Sequence, residues 1–172
     1  MKNHFAALSA KLMTPEQAIA WRKTCHEQGL TVAFTNGCFD VLHLGHVTYL
    51  AKAADCAQKL IVAINTDASV RMLDKAPNRP INPQDARAIV LAALSFVDAV
   101  VFFNDATPLS LIKSLQPDVL VKGADYDANE QDPHAKRYIV GSDSVRQSGG
   151  EVRTIDLVAG YSTTAILEKG KS

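Results

Sequence analysis

Two histidines flanking a glycine give this sequence its clearest chemistry. In residues 35–50, TNGCFDVLHLGHVTYL, His43 and His46 stand three apart, with Gly45 between them. Residues three apart share one face of a helix, so at a helix start both imidazoles can donate hydrogen bonds towards the same anion. A bare glycine there lets a phosphate approach the backbone N–H groups at the positive end of the helix. Gly37, earlier in the run, suits a tight turn. The expected chemistry is stabilisation of negative charge that grows on phosphate oxygens. Two solvated histidines on an ordinary helix start are the alternative.

Such a pair needs a strand to deliver it and a helix to carry it. The β-branched run LTVAFTNG precedes it, and further runs of that kind occur at KLIVAIN, DAVVFF, PDVLVKG and EVRTIDL, which predicts five strands. Helical spacing predicts helices at TPEQAIAWRKTCHEQ, HVTYLAKAADCAQ, DASVRML, PQDARAIVLAAL, PLSLIKSL, SDSVRQSG and STTAILEK. Apolar strands alternating with helices imply a parallel sheet covered on both faces, a Rossmann-like, doubly wound α/β fold. We expect residues 1–30 to form an N-terminal helical extension and residues 31–172 the main domain, within one compact unit. Two polar or proline-rich stretches, LDKAPNRPINPQD and GADYDANEQDPHAKRY, read as loops.

In such a sheet ligands bind beyond the carboxyl ends of the strands. Lys122 follows the strand PDVLV and precedes Gly123, which puts a long cation at that edge; a solvated lysine is its alternative. Ser162, Thr163 and Thr164 open the last helix, where hydroxyls cap the helix or meet a phosphate. Asn65 and Asp67 end a strand and can cap the short helix that follows. Asp40 can order a turn by accepting backbone N–H bonds, which places it behind the ligand rather than on it.

Composition narrows the classes further. Lysine plus arginine balance aspartate plus glutamate at 18 each in 172 residues, so no broad positive field exists for nucleic acid. No apolar run approaches the roughly 18 residues that span a bilayer, and the start MKNHFAALSAKLMTPEQ lacks the apolar middle of a signal peptide, so a cytoplasmic protein is expected. Cys25, Cys38 and Cys56 are scattered, without the spacing of a zinc site or a disulfide framework. No metal held by protein ligands is expected. The dinucleotide fingerprint G-x-G-x-x-G is absent after the first strand, which disfavours hydride transfer.

With HLGH in that place, the sequence resembles the HxGH nucleotidyltransferases, which include cytidylyltransferases and adenylyltransferases. The segments FDVLHLGHVTYL, VAINTDASVRML, NRPINPQDARAIVLAALSFVDAVVFF, LQPDVLVKGADY, GGEVRTIDL and YSTTAILEK occur in the order seen in bacterial heptose 1-phosphate adenylyltransferases. The resemblance implies transfer of AMP from ATP to D-glycero-D-manno-heptose 1-phosphate, giving ADP-heptose and pyrophosphate for the lipopolysaccharide core. It implies His43, His46 and Lys122 as catalytic groups. Thr35, Asn36, Gly37, Phe39, Gly45, Gly123, Ser162, Thr163 and Thr164 would line the nucleotide, although Phe39 fits a core position equally. Arg79, Arg87, Asp125 and Tyr126 would contact the substrate phosphate or the sugar, with Asp40, Asn65 and Asp67 behind them. Mg²⁺ would be held mainly by the nucleotide phosphates. Many relatives carry this domain behind a sugar kinase; here the resemblance is to the stand-alone form, with a separate heptose kinase and a possible homodimer. The chain has Ala165 where heptose enzymes often carry Asn and Leu167 where cytidylyltransferases often carry a basic residue. A cytidylyltransferase acting on glycerol 3-phosphate, and a nucleotide-binding module without turnover, are the alternatives.

Overall fold

The computed structural model describes residues 3–73 and 78–170. Part of the proline-rich loop, residues 74–77, therefore lies outside the described residues, as do residues 1–2 and 171–172.

Six parallel strands form one sheet in the order β1-β4-β3-β2-β5-β6. They are β1 (Leu12–Met13), β2 (Val32–Gly37), β3 (Lys59–Asn65), β4 (Ala99–Phe103), β5 (Val119–Gly123) and β6 (Glu151–Ile155). Five correspond to the runs read from sequence, and the sixth corrects the expected count. β1 pairs only Leu12 with Val100 and Met13 with Val101, and two residues are too short to show an alternating pattern. From β2 the chain proceeds to β3 and β4 on one side and then to β5 and β6 on the other, so the order reverses between β2 and β5.

Alternation along the strands divides the core into two layers. Ala33, Leu60, Val62, Ile64, Val100 and Val121 face α3 (Leu44–Ala54) and α5 (Gln84–Ala92). Val32, Phe34, Ile61, Ala63, Val101 and Leu120 face α2 (Pro15–Glu27), α6 (Leu109–Leu115) and α7 (Ser142–Gln147). Because strands buried on both faces need apolar residues at every position, they read as continuous apolar runs. Within residues 3–30, β1 lies at the sheet edge and α2 covers one face of the sandwich. A capping box between Thr14 and Gln17, with Pro15 in the first turn, starts α2, and Gly29 at φ 71° follows its end. The helix α1 (His4–Ser9), capped by Asn3, precedes β1. Short helices α4 (Asp67–Met72) and α8 (Thr163–Lys169) complete the described elements. No helix among the described residues is long and apolar enough to cross a membrane.

Candidate active site

A cavity of about 610 Å³ opens at the carboxyl edge of the sheet. Its walls come from the turn after β2, the start of α3, the end of β5 and the segment entering α8. The topological reversal between β2 and β5 produces this opening, because the connections from the two strands leave in opposite directions.

His43 is the N-cap of α3, and its Nδ1 accepts the His46 backbone N–H at 3.4 Å. An accepting Nδ1 carries no proton, so the ring proton of neutral His43 sits on Nε2. Burial also pushes the His43 pKa below its ordinary value, which favours this neutral form. The two imidazoles stack with centroids 3.8 Å apart and planes 20° apart, and Phe39 meets His46 edge-on at 5.2 Å. Gly45 leaves little room for a side chain: a Cβ there would lie 3.1 Å from the His43 ring and 3.3 Å from Tyr161. Phe39 both packs in the core and lines the cavity, and it adopts φ 45°, a left-handed conformation unusual for a bulky residue.

Lys122 enters from β5 on the same cavity, with its Nζ 5.2 Å from the centre of the Tyr126 ring. Burial pushes its pKa down to about 8, against the opposing pull of Asp125 and Cys38. A side chain at Gly123 would displace Asp125, since a Cβ there would come 2.5 Å from an Asp125 oxygen. Ser162 Oγ accepts the Ala165 N–H at 3.1 Å, which caps α8, and Thr163 follows on the cavity wall. Asn36 reaches the cavity as well, and its Oδ1 is buried with no hydrogen-bond partner among the described residues.

Several residues expected at the ligand lie elsewhere. Thr35 is fully buried on the α3 face of β2 and hydrogen-bonds the Tyr49 hydroxyl at 2.7 Å; strand alternation turns it away while Asn36 faces the cavity. Thr164 is exposed and off the cavity wall, rotated about 100° from Thr163 by helix geometry. Arg79 is committed to Asp40, whose carboxylate also accepts the N–H groups of Ile81 and Asn82 at 2.8 and 2.9 Å. Burial alone would raise the Asp40 pKa, but those backbone N–H groups and the Arg79 guanidinium outweigh it and hold the carboxyl below its ordinary value. Arg87 is 2% exposed and does not reach the cavity. Its guanidinium donates to the carbonyls of Asn82, Cys38 and Asn65 and to Asp67 Oδ1, at 2.7–3.1 Å. Asp67 is thereby fixed behind the site, whereas Asn65 lines it. The cap of α4 is Thr66, which accepts the Ser69 N–H, rather than Asn65 or Asp67.

The cavity also has walls that sequence reading missed: Leu73, Phe103, Thr107, Val140, Leu157, Val158 and Tyr161. Apolar residues at strand ends and in loops look the same in sequence whether they fill a core or line a pocket.

Residues 34–169 match the family model described as Cytidylyltransferase-like. The chain belongs to this family of nucleotidyltransferases. Among its relatives, "Bifunctional protein HldE" of Mesorhizobium japonicum is 52% identical over 150 residues, covering 87% of this chain and 28% of that protein. The protein of the same name from Campylobacter concisus is 54% identical over 140 residues, covering 81% of this chain and 27% of that one. The chain thus spans under a third of the length of these relatives. Among solved structures, the lipopolysaccharide core biosynthesis protein of Thermoplasma volcanium shares the fold with a TM-score of 0.57 at 22% identity, over 76% of this chain and 98% of that one. Pantoate-beta-alanine ligase of Francisella tularensis also scores 0.57, at 14% identity over 93% of this chain and 76% of that one.

Proposed function

We propose that the protein transfers AMP from ATP to D-glycero-D-manno-heptose 1-phosphate, releasing pyrophosphate and forming ADP-heptose in the cytoplasm. The observation that carries this reading is the convergence of the stacked His43–His46 pair, Lys122 and the Ser162–Thr163 hydroxyls on one cavity. An oxygen of the sugar phosphate attacks the α-phosphorus, the bond to the β-phosphate oxygen breaks, and pyrophosphate leaves with the electron pair. Such a step needs alignment and charge neutralisation rather than a covalent nucleophile. His43 donates from Nε2, His46 and Lys122 neutralise the phosphates, and Ser162 and Thr163 offer hydroxyls to the leaving group. Asn36, Asp125 and Tyr126 face the sugars.

Asp125 is the one carboxylate among the described lining residues, and no group of three metal-ligating side chains occurs among the described residues. That donor set fits a Mg²⁺ ion held by the nucleotide phosphates, where it would add charge neutralisation. Supply of the sugar 1-phosphate by a separate sugar kinase belongs to the same proposal.

The test is pyrophosphate release with ATP or CTP, each against heptose 1-phosphate and glycerol 3-phosphate. Turnover is expected with ATP and heptose 1-phosphate. Turnover only with CTP and glycerol 3-phosphate would replace this reading with a cytidylyltransferase, and silence with every pair would leave a binding module.

Lys122 adds a pH signature. Phosphate contacts favour its ammonium form, so ATP affinity is expected to hold steady below pH 8 and to fall as the free lysine deprotonates above it, by up to about tenfold per pH unit. Calorimetry in two buffers should show proton uptake on binding at pH 9 and not at pH 7, and Lys122→Met should abolish the difference. The same group affects folding with the opposite sign. Its folded pKa lies below its ordinary 10.5, so the unfolded chain binds the extra proton and this contribution to stability rises between pH 8 and 10.5.

A further inference from the structure

The phosphate cradle is assembled from two strands that part where it begins. Pairing between β2 and β5 joins Ala33 to Val119 and Phe34 to Leu120 and goes no further, whereas β2 and β3 stay paired to Gly37. One residue beyond the last β2–β5 pair, the Tyr49 phenol spans the gap. Its hydroxyl donates to the Val121 carbonyl at 3.1 Å and lies 2.7 Å from Thr35 Oγ1. A phenol has one proton, and a carbonyl only accepts, so the chain of donors runs from Thr35 to Tyr49 to Val121. Val121 immediately precedes Lys122, and Tyr49 lies one helical turn after His46 on α3.

We infer that Tyr49 is a positioning residue for nucleotidyl transfer, its buried hydroxyl fixing the spacing between the histidine pair on α3 and Lys122 on β5. The inference rests on the functional reading given above. Tyr49 is 8% exposed, so water does not readily replace its hydrogen bonds. Burial also pushes the phenol pKa well above its ordinary value, so the hydroxyl keeps its proton as a donor throughout the working pH range. Among the described side-chain hydrogen bonds, those of Tyr49 alone link Thr35 to β5. A transition state held by both halves of the cradle is sensitive to their separation, and a misplacement of about 1 Å can cost on the order of a hundredfold in rate.

The experiment compares Tyr49→Phe, Thr35→Val and the double variant in the full chain. Each single variant is expected to lower kcat about tenfold or more while KM for ATP and for the sugar phosphate moves less than about threefold, because ground-state contacts persist. The double variant should be no slower than the worse single, since both break one chain of donors. Thr35→Ser, which keeps the hydroxyl, should recover most of what Thr35→Val loses, and this pair carries the test if Tyr49→Phe does not fold. A second readout needs no turnover. In the ligand-free protein, NMR titration of Lys122, which faces Asp125, Cys38 and Tyr126, should move from about 8 towards 10.5 by about half a unit or more in Tyr49→Phe as the strand end loosens and hydrates. A folded variant with wild-type kcat and an unmoved Lys122 titration would overturn the inference. An inactive wild-type chain would sink the functional reading alone, because the titration still decides the role of Tyr49.

Discussion

Replacing His46 by alanine is expected to cut kcat for pyrophosphate release by about two orders of magnitude or more, with the fold intact and KM for ATP little changed. The ring sits half-buried on the first turn of α3, stacked on His43 and edge-on to Phe39, so its removal takes a donor from the cavity without unpacking the sheet. The backbone N–H that His43 Nδ1 accepts belongs to position 46 and survives the substitution. Helix capping should therefore be kept. His43→Ala, by contrast, removes both a cavity donor and the N-cap acceptor, so it should lower kcat and also cost about 1 kcal/mol of stability. Steady-state kinetics and urea unfolding on both variants separate these effects. A wild-type rate in His46→Ala would remove the histidine from the transition state, and a rise in KM alone would reduce it to a ground-state contact.

Much of the architecture was readable because its signals are local. The apolar runs at β2 to β5 need no partner to be recognised, β6 shows itself by β-branched residues between charged ones, and HLGH declares itself at the junction of a strand and a helix. Lys122, 76 residues beyond His46, could still be placed near it, because the ends of parallel strands meet at one edge of the sheet. What failed to show were facts of direction. Thr35 and Asn36 are adjacent and polar, yet only coordinates tell which faces the cavity and which bonds Tyr49 beneath α3. The same holds at the last helix, where one position of rotation separates Thr163 on the wall from Thr164 outside it. Edge strand β1 went unread for another reason: its two residues are held by β4 rather than by any pattern of their own.

Arg87 shows the limit most sharply and yields the second large prediction. An arginine in the first turn of a helix beside a proline-rich loop looks like a phosphate ligand, since the signal for a buried arginine is the set of distant carbonyls waiting for it. Here those carbonyls come from the turn after β2 (Cys38), the end of β3 (Asn65) and the entry to α5 (Asn82), with Asp67 supplying the counter-charge. The side chain is fully buried while Asp67 keeps a quarter of its side-chain exposure, so the pair is desolvated mainly on the arginine side. Arg87→Ala would leave three carbonyls without this donor, an unpaired carboxylate and a void. Breaking such a buried pair from one side costs about 3–5 kcal/mol, a large part of a typical domain's stability. Urea unfolding should show that loss as a fall in the midpoint. Arg87→Lys should recover only part of it, because one ammonium cannot reproduce the guanidinium's fork of donors. A phosphate ligand would behave in the opposite way, with stability unchanged and KM raised, and that result would return Arg87 to the substrate. The geometry requires the stability loss instead, since the same guanidinium holds the backbone carbonyls of Cys38 and Asn65, two residues that line the cavity.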